Sequence, residues 1–545
     1  MSALLQEASA EASNELQPRD ERSLLEKFAS RQSNEIVVAF AGPIGCGITS
    51  AVNTIEDSLR AFGYRDVVRI KLSTFLEESI KNERIQEPEV EAGASDRFRR
   101  YRRLQQVGMD IRRLTNNQAV LAEYAINQIV LDRAKREGVA RGNQAAATVP
   151  ARVAYLIDQV KRPEEVKLLR ALYRNLFYLV GVTKSFDQRT QFLIDEGVKT
   201  TEIERLVEID RNENSENGQR LDKTLHLADF FLRNDVGSDQ KKHIDRFVHL
   251  IHGDASLTPT ADEQGMYAAY AAGMRSACLS RQVGAAISSA DGEIISTGCN
   301  DVPRAGGGLY SANSPHDARC VHLNERVCFN DHHKRELQTQ IAAEIDRALG
   351  QQIEGEPGIA LSASRRALVS ESLYKNTRLK DLIEFSRSVH AEMDAIVSLA
   401  RSGGGGGLRN ATLYTTTFPC HSCARHIVAA GILNVIYIEP YEKSMAKDLH
   451  KDAISFEFSA AEDKDDSRVK FQHFQGISPR QFAHVFRADG RKDGDGKFIS
   501  IDIAEAPRKI PEYLDNYFDF EAKAVENFQH AIEKLPISKS VDTKN

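Results

Sequence analysis

The sequence predicts an α/β protein made of two successive units, the first around a parallel sheet and the second an α/β/α series. Three observations carry this. Short continuous apolar runs alternate with helical periodicity over 35–250, the pattern of strands covered on both faces by crossover helices. A hairpin and a second strand–helix–strand series follow between 264 and 438. The length, 545 residues, holds roughly three to four units at about 150 residues per domain.

Residues 1–33 are rich in Glu, Gln, Ser and Arg and have no apolar core like that of a secretory signal. They read as an arm, either solvated or docking on a partner subunit through Leu4/Leu5 and Leu24/Leu25. Residues 34–250 form the first unit. Glu35–Ala41 is a buried strand, Gly42–Gly47 a Gly-rich turn, and Thr49–Phe62 a helix with Val52, Ile55, Leu59 and Phe62 on one face. Further strands fall at 67–70, 153–158 and 177–182. Residues 255–455 form the second unit: a helix over 264–280, a hairpin of 283–287 and 294–300 turning at Asp291-Gly292, a helix over 387–401, a strand at 411–415, a helix over 421–431 and a strand at 434–438. The polar stretch 303–385 reads as an insertion, and 456–545 as a C-terminal extension of the second unit.

Lys and Arg total 72 against 78 Asp and Glu, a formal charge of −6. That argues against a protein built to coat nucleic acid. Seven cysteines in this length make no disulfide framework, so the expected compartment is the reducing cytoplasm and clustered cysteines become metal or catalytic candidates. No apolar stretch of about 18 residues is present, so no membrane partner is expected.

Gly42-Pro43-Ile44-Gly45-Cys46-Gly47-Ile48-Thr49 follows a strand and opens a helix. This is the frame of a phosphate-binding loop, Gly-x-x-x-x-Gly-Lys-Ser/Thr, with Ile48 in place of Lys. Backbone amides at a helix start still suit an anion, but the side chain that neutralises charge during phosphoryl transfer is missing. Gly42, Gly45, Gly47, Thr49 and Ser50 are the candidate nucleotide contacts, and Asp158, ending an apolar strand, is a candidate Mg²⁺ ligand. The unit resembles small P-loop kinases over about 35–235. Ile48 leaves three readings open: a regulatory nucleotide site, phosphotransfer with a Lys or Arg from elsewhere, or a structural relic.

The strongest signal is His390-Ala391-Glu392 followed by Pro419-Cys420-His421-Ser422-Cys423. This pattern is the signature of zinc nucleobase deaminases. Catalytic zinc takes three protein ligands and keeps one open position. His390, Cys420 and Cys423 supply a nitrogen and two thiolates. Glu392, two residues beyond His390, is placed to move protons without binding the metal. A closed structural site would need a further ligand such as His421 or His426.

Arg275–Ala285 and Gly298-Cys299-Asn300-Asp301-Val302-Pro303 flank the hairpin and resemble the deoxycytidylate deaminase family. That resemblance implies a sugar contact for Asn300 and phosphate contacts for Arg281 and Lys443. The density of His and Cys in the insertion suggests a second, structural zinc, which some members of that family carry in this region, with His316, Cys320, His322 and Cys328 as candidates; a polar, Cys-containing loop is the alternative. The fusion of a P-loop unit to this zinc unit resembles the bacterial anti-phage dCTP deaminases over nearly the whole chain. Membership would imply deamination of dCTP and dCMP, depletion of dCTP during infection, and a regulatory P-loop unit. Expected partners are a nucleotide effector (dTTP or ATP, with Mg²⁺), an inhibitory RNA or other negative regulator, and further copies of the chain. A housekeeping dCMP deaminase and a polynucleotide deaminase acting on tRNA or single-stranded DNA are the alternatives. The polynucleotide class needs basic channels and stacking aromatics, which a net charge of −6 and no Trp disfavour.

Overall fold

β1 (Ile36–Ala41) is buried at all its positions, as its unbroken apolar run requires. In this computed structural model, residues 23, 26, 30–89, 93–137, 152–212, 217–351, 357–439, 444–456, 467–488 and 490–535 are described. The chain continues through α1 (Ile48–Ala61), β2 (Asp66–Lys71), α2 (Leu72–Lys81), α3 (Asp96–Thr115), α4 (Val120–Glu137) and β3 (Val153–Asp158). Then come α5 (Pro163–Tyr173), β4 (Phe177–Thr183), α6 (Phe186–Asp195), α7 (Thr200–Asn212), α8 (Leu221–Leu225), β5 (Phe230–Arg233) and α9 (Gln240–Ile251). β5, β4, β1, β3 and β2 lie side by side, all parallel. α1 buries Val52, Ile55 and Leu59, spaced three and four apart on one helical face.

The second half begins with α10 (Ala261–Gly273), β6 (Gly284–Ser288) and β7 (Ile294–Cys299), followed by two helices, α11 (Phe329–Gly350) and α12 (Ala363–Asn376), within the insertion. α13 (Ala391–Arg401), β8 (Thr412–Thr417), α14 (His421–Ala429), β9 (Asn434–Glu439), α15 (Ala446–Leu449), β10 (Ile454–Ser455) and β11 (Val469–His473) complete it. This sheet has the order β10-β11-β9-β8-β6-β7, with β6 antiparallel to both neighbours and the other pairs parallel. α10 starts at a capping box, Thr260 accepting from the Glu263 amide and Glu263 from that of Thr260. It stops at Gly273, short of the expected 280. Ser276 there donates to the Asn300 carbonyl at 2.5 Å and the Ala277 amide to Asp301 at 2.9 Å. These bonds draw the chain out of the helix into a loop.

The C-terminal extension does not belong to the second unit alone. β12 (Gly476–Ile477) pairs antiparallel with β5 at the edge of the first sheet. After α16 (Phe482–Phe486), α17 (Phe518–Glu533) lies against α4, where Phe528 packs with Phe75 and Tyr124 at ring separations of 5.5 and 5.8 Å. The expected arm lies mostly outside the described residues, but Gln32 bridges to Tyr513 and Arg31 pairs with Asp515 at 2.6 Å. Burial of apolar surface in the first core draws the C-terminal chain back across the molecule.

The same region holds a buried charge cluster. Arg133 lies 2.8 Å from Glu35 and 2.6 Å from Glu521, and the Tyr173 and Tyr517 hydroxyls donate to these carboxylates. Arg133→Ala leaves two buried carboxylates without their cation. It is expected to cost about 3–5 kcal/mol, read as a drop in the urea midpoint of unfolding.

Candidate catalytic centre

Two helix starts converge to make the site. Val389 forms an extended bridge to Asp301, so the chain reaches His390 in β conformation and His390 becomes the N-cap of α13. The helix therefore begins at 391, not at the expected 387. Cys420 is likewise the N-cap of α14, its sulfur accepting from the Cys423 amide at 3.4 Å. Gly298 lets these parts close up. A Cβ there would collide with the Ala391 carbonyl and the Ala395 amide, so any other residue would push α13 off β7.

His390 Nδ1 lies 3.3 Å from Cys420 Sγ and 3.3 Å from Cys423 Sγ. Tetrahedral zinc at its usual bond lengths separates nitrogen and sulfur ligands by about 3.6 Å, so this donor set fits the metal. The Cys420 thiol is pulled down to about 4 by hydrogen bonds from Cys423 and His390, against burial. The Cys423 thiol is pushed up by its bond to Cys420 and by burial. His390 is raised by its hydrogen bond to Cys420. Glu392 is 4% exposed, and burial raises its carboxyl above the usual range. Its Oε2 accepts from Cys423 Sγ at 3.6 Å.

A cavity of about 380 Å³ opens over this cluster. Arg281, Asn300, Lys334, Lys380, Arg387 and Phe418 line it together with His390, Glu392 and Cys420. Arg281 also pairs with Glu439 at 3.3 Å. Asn300 lines the cavity and ties its wall, donating to the Arg281 carbonyl at 2.8 Å and accepting from the Val283 amide at 2.7 Å. Lys443 lies outside the described residues. Sequence reasoning missed Lys334, Lys380 and Arg387. Only Arg387 carried a local signal, three residues before His390 and cationic; the other two come from the insertion.

The expected second zinc set is not assembled. The described residues contain two groups of three metal-capable donors within 4.8 Å of one another, His390/Cys420/Cys423 and the exposed His332/His333/Glu336. Neither includes His316, Cys320, His322 or Cys328. His322 pairs instead with Asp317 at 3.2 Å, and Cys320 is a buried thiol raised by desolvation.

The loop at Gly42–Thr49 borders a separate cavity of about 410 Å³, also lined by Asp158. Gly45 and Gly47 both have φ of 81°, the left-handed region that glycine enters without strain. Asn234 Nδ2 donates to the Cys46 carbonyl at 2.8 Å. Gly42 turns its carbonyl to Gln159 and Lys161, and Thr49 faces the cavity. Ser50 does not line it; its hydroxyl donates to Gln240 at 3.0 Å. Burial raises the Asp158 carboxyl.

Among the described residues, no helix is long and apolar enough to cross a membrane. Residues 259–439 match the cytidine and deoxycytidylate deaminase zinc-binding region. The deoxycytidylate deaminase of enterobacteria phage T4 is 30% identical over 176 residues, 32% of this chain and 76% of that protein. The corresponding phage T2 enzyme is 31% identical over 185 residues, 32% of this chain and 78% of that protein. The crystal structure of dCMP deaminase from cyanophage S-TIM5 in complex with dCMP and dUMP aligns over 40% of this chain and 98% of its own, at 18% identity and a TM-score of 0.22. The chain thus belongs, through residues 259–439, to the deoxycytidylate deaminase family of hydrolases that act on cytosine nucleotides.

Proposed function

We propose that this chain hydrolyses deoxycytidine nucleotides, dCTP and dCMP, to the deoxyuridine forms and ammonia. One observation carries the reading: the His390/Cys420/Cys423 cluster and the buried Glu392 open on a cavity lined also by Arg281, Lys334, Lys380 and Arg387, with Lys334 Nζ resting on Asp331 at 3.0 Å and Lys380 Nζ on the Lys375 carbonyl at 2.7 Å. A cytosine base needs the first group, and a phosphate-bearing substrate needs the second. Zinc held by His390, Cys420 and Cys423 would supply a Lewis acid that lowers the pKa of water and polarises the reacting centre. Glu392 takes one proton from the attacking water and gives it to ring N3 as the bond from C4 to oxygen forms, then carries the second proton from the new C4 hydroxyl to the departing amine as the bond from C4 to nitrogen breaks, leaving a C4 carbonyl and ammonia. Asn300 holds the Arg281–Val283 backbone against the cavity, and the cations anchor the phosphate.

Arg387 provides the test. Arg387→Ala is expected to raise KM for dCMP by about 10- to 100-fold, the worth of one charged hydrogen bond, while turnover of deoxycytidine stays near wild type. Equal losses on both substrates would remove the phosphate role.

The phosphate-loop half serves as a nucleotide-responsive regulator in this reading, and the physiological role is dCTP depletion during phage infection. Its support is the resemblance of the fused layout. Phage challenge should lower the dCTP pool of cells carrying the wild-type chain but not of cells carrying Glu392→Gln.

A further inference from the structure

Ile48 stands where a phosphate-binding loop carries its lysine, yet an ammonium is present at this loop. Lys161 follows β3 and lines the same cavity as Gly45, Gly47, Thr49 and Asp158. Its Nζ lies 3.2 Å from the Gly42 carbonyl. That charge is already engaged, because Asp210 Oδ1 is 2.5 Å away. The other Asp210 oxygen accepts from the Ile44 amide of the loop at 2.8 Å. Asp210 is 2% exposed and reaches the loop from α7. One internal carboxylate thus takes a loop amide and the Lys161 ammonium, both of which a bound phosphate would use.

Gln219 adds an independent observation. It lines the cavity, is 8% exposed, and among the described residues its buried Oε1 has no hydrogen-bond partner. Buried polar groups are normally satisfied, and an amide oxygen needs a donor. A phosphate chain offers acceptors almost exclusively; a sugar hydroxyl or a base amine offers donors. The cavity therefore asks for a nucleoside polyphosphate, not a bare phosphate.

We propose that Lys161 supplies the ammonium missing at Ile48, and that a nucleoside triphosphate enters by displacing the Asp210 carboxylate from Ile44 and Lys161. The inference rests on the reading of this loop as a nucleotide site and adds its cation, its internal competitor and a nucleoside contact.

Equilibrium dialysis of the full-length protein with Mg²⁺ and labelled ATP, dTTP or tripolyphosphate tests it. Gly47→Asp is the reference for binding elsewhere, since a side chain at Gly47 would strike Asn234 Nδ2. Binding that depends on Gly47 is expected to tighten about 5-fold or more in Asp210→Asn, which keeps an acceptor for Ile44 but removes the competing charge. It is expected to weaken about 10-fold or more in Lys161→Met and to recover partly in Lys161→Arg. Gln219→Leu should weaken ATP and leave tripolyphosphate unchanged. Nucleotide binding that appears only in Asp210→Asn would also support the proposal. Wild-type affinity in Lys161→Met, or weaker binding in a folded Asp210→Asn, would overturn it. If no variant, Asp210→Asn included, binds any nucleotide in a Gly47-dependent way, the nucleotide-site reading itself fails.

Discussion

Glu392→Gln lowers kcat for deamination by about 10²–10⁴, the span of a lost general acid–base group, and leaves zinc bound. The substitution keeps the volume of a side chain that is 4% exposed but removes its ability to take a proton. Glu392 is suited to that task by its surroundings. Burial raises its carboxyl toward the working pH, where a proton can be both accepted and returned. Ammonia release with metal analysis on the same preparation checks it. Wild-type turnover in Glu392→Gln would remove Glu392 from the chemistry. Loss of zinc together with activity would mark it as a structural residue.

Cys423→Ser abolishes both stoichiometric zinc and turnover, and His390→Ala does the same. The two sulfurs are unequal before metal binds: Cys420 is drawn down to about 4 by its bonds from Cys423 and His390, while Cys423 is raised. The pair therefore retains a thiol proton at neutral pH, and zinc must expel it to gain both thiolates. Affinity for zinc consequently falls as pH falls, because protons compete for the sulfurs. Zinc release is measured in a pH titration with a chromogenic chelator, with proton release on rebinding as the companion readout. A Cys423→Ser protein that holds one zinc per chain with wild-type affinity would contradict this ligand set.

How much could be read from the chain depends on how local each cause is. β1, β3 and β4 were legible because burial on both faces demands unbroken apolar runs. The two-residue β12 and the packing of α17 on α4 are not, since long-range pairing leaves no local pattern; the stretch beyond 456 reads as part of one unit, whereas its strands β11 and β12 pair with different sheets. α3 was also missed, its Arg-rich stretch diluting the apolar positions that it buries. At the site, His390, Glu392, Cys420 and Cys423 are fixed by two short motifs, and the structure gathers them into one cluster. Lys334 and Lys380 reach the same cavity from the insertion, where a lone Lys has no signature. The density of His and Cys in the insertion suggests a metal, but proximity in sequence does not bring His316, Cys320, His322 and Cys328 together as a ligand set: His322 pairs with Asp317.

Ammonia release from dCMP, dCTP, deoxycytidine, CMP, CTP and oligo-dC by the purified zinc-loaded protein, with Glu392→Gln as control, is the most direct test of the central claim. The account predicts turnover of dCMP and dCTP at a higher kcat/KM than deoxycytidine, with no activity in the control. Preferential turnover of oligo-dC, or no turnover of any cytosine nucleotide with zinc bound, would contradict it.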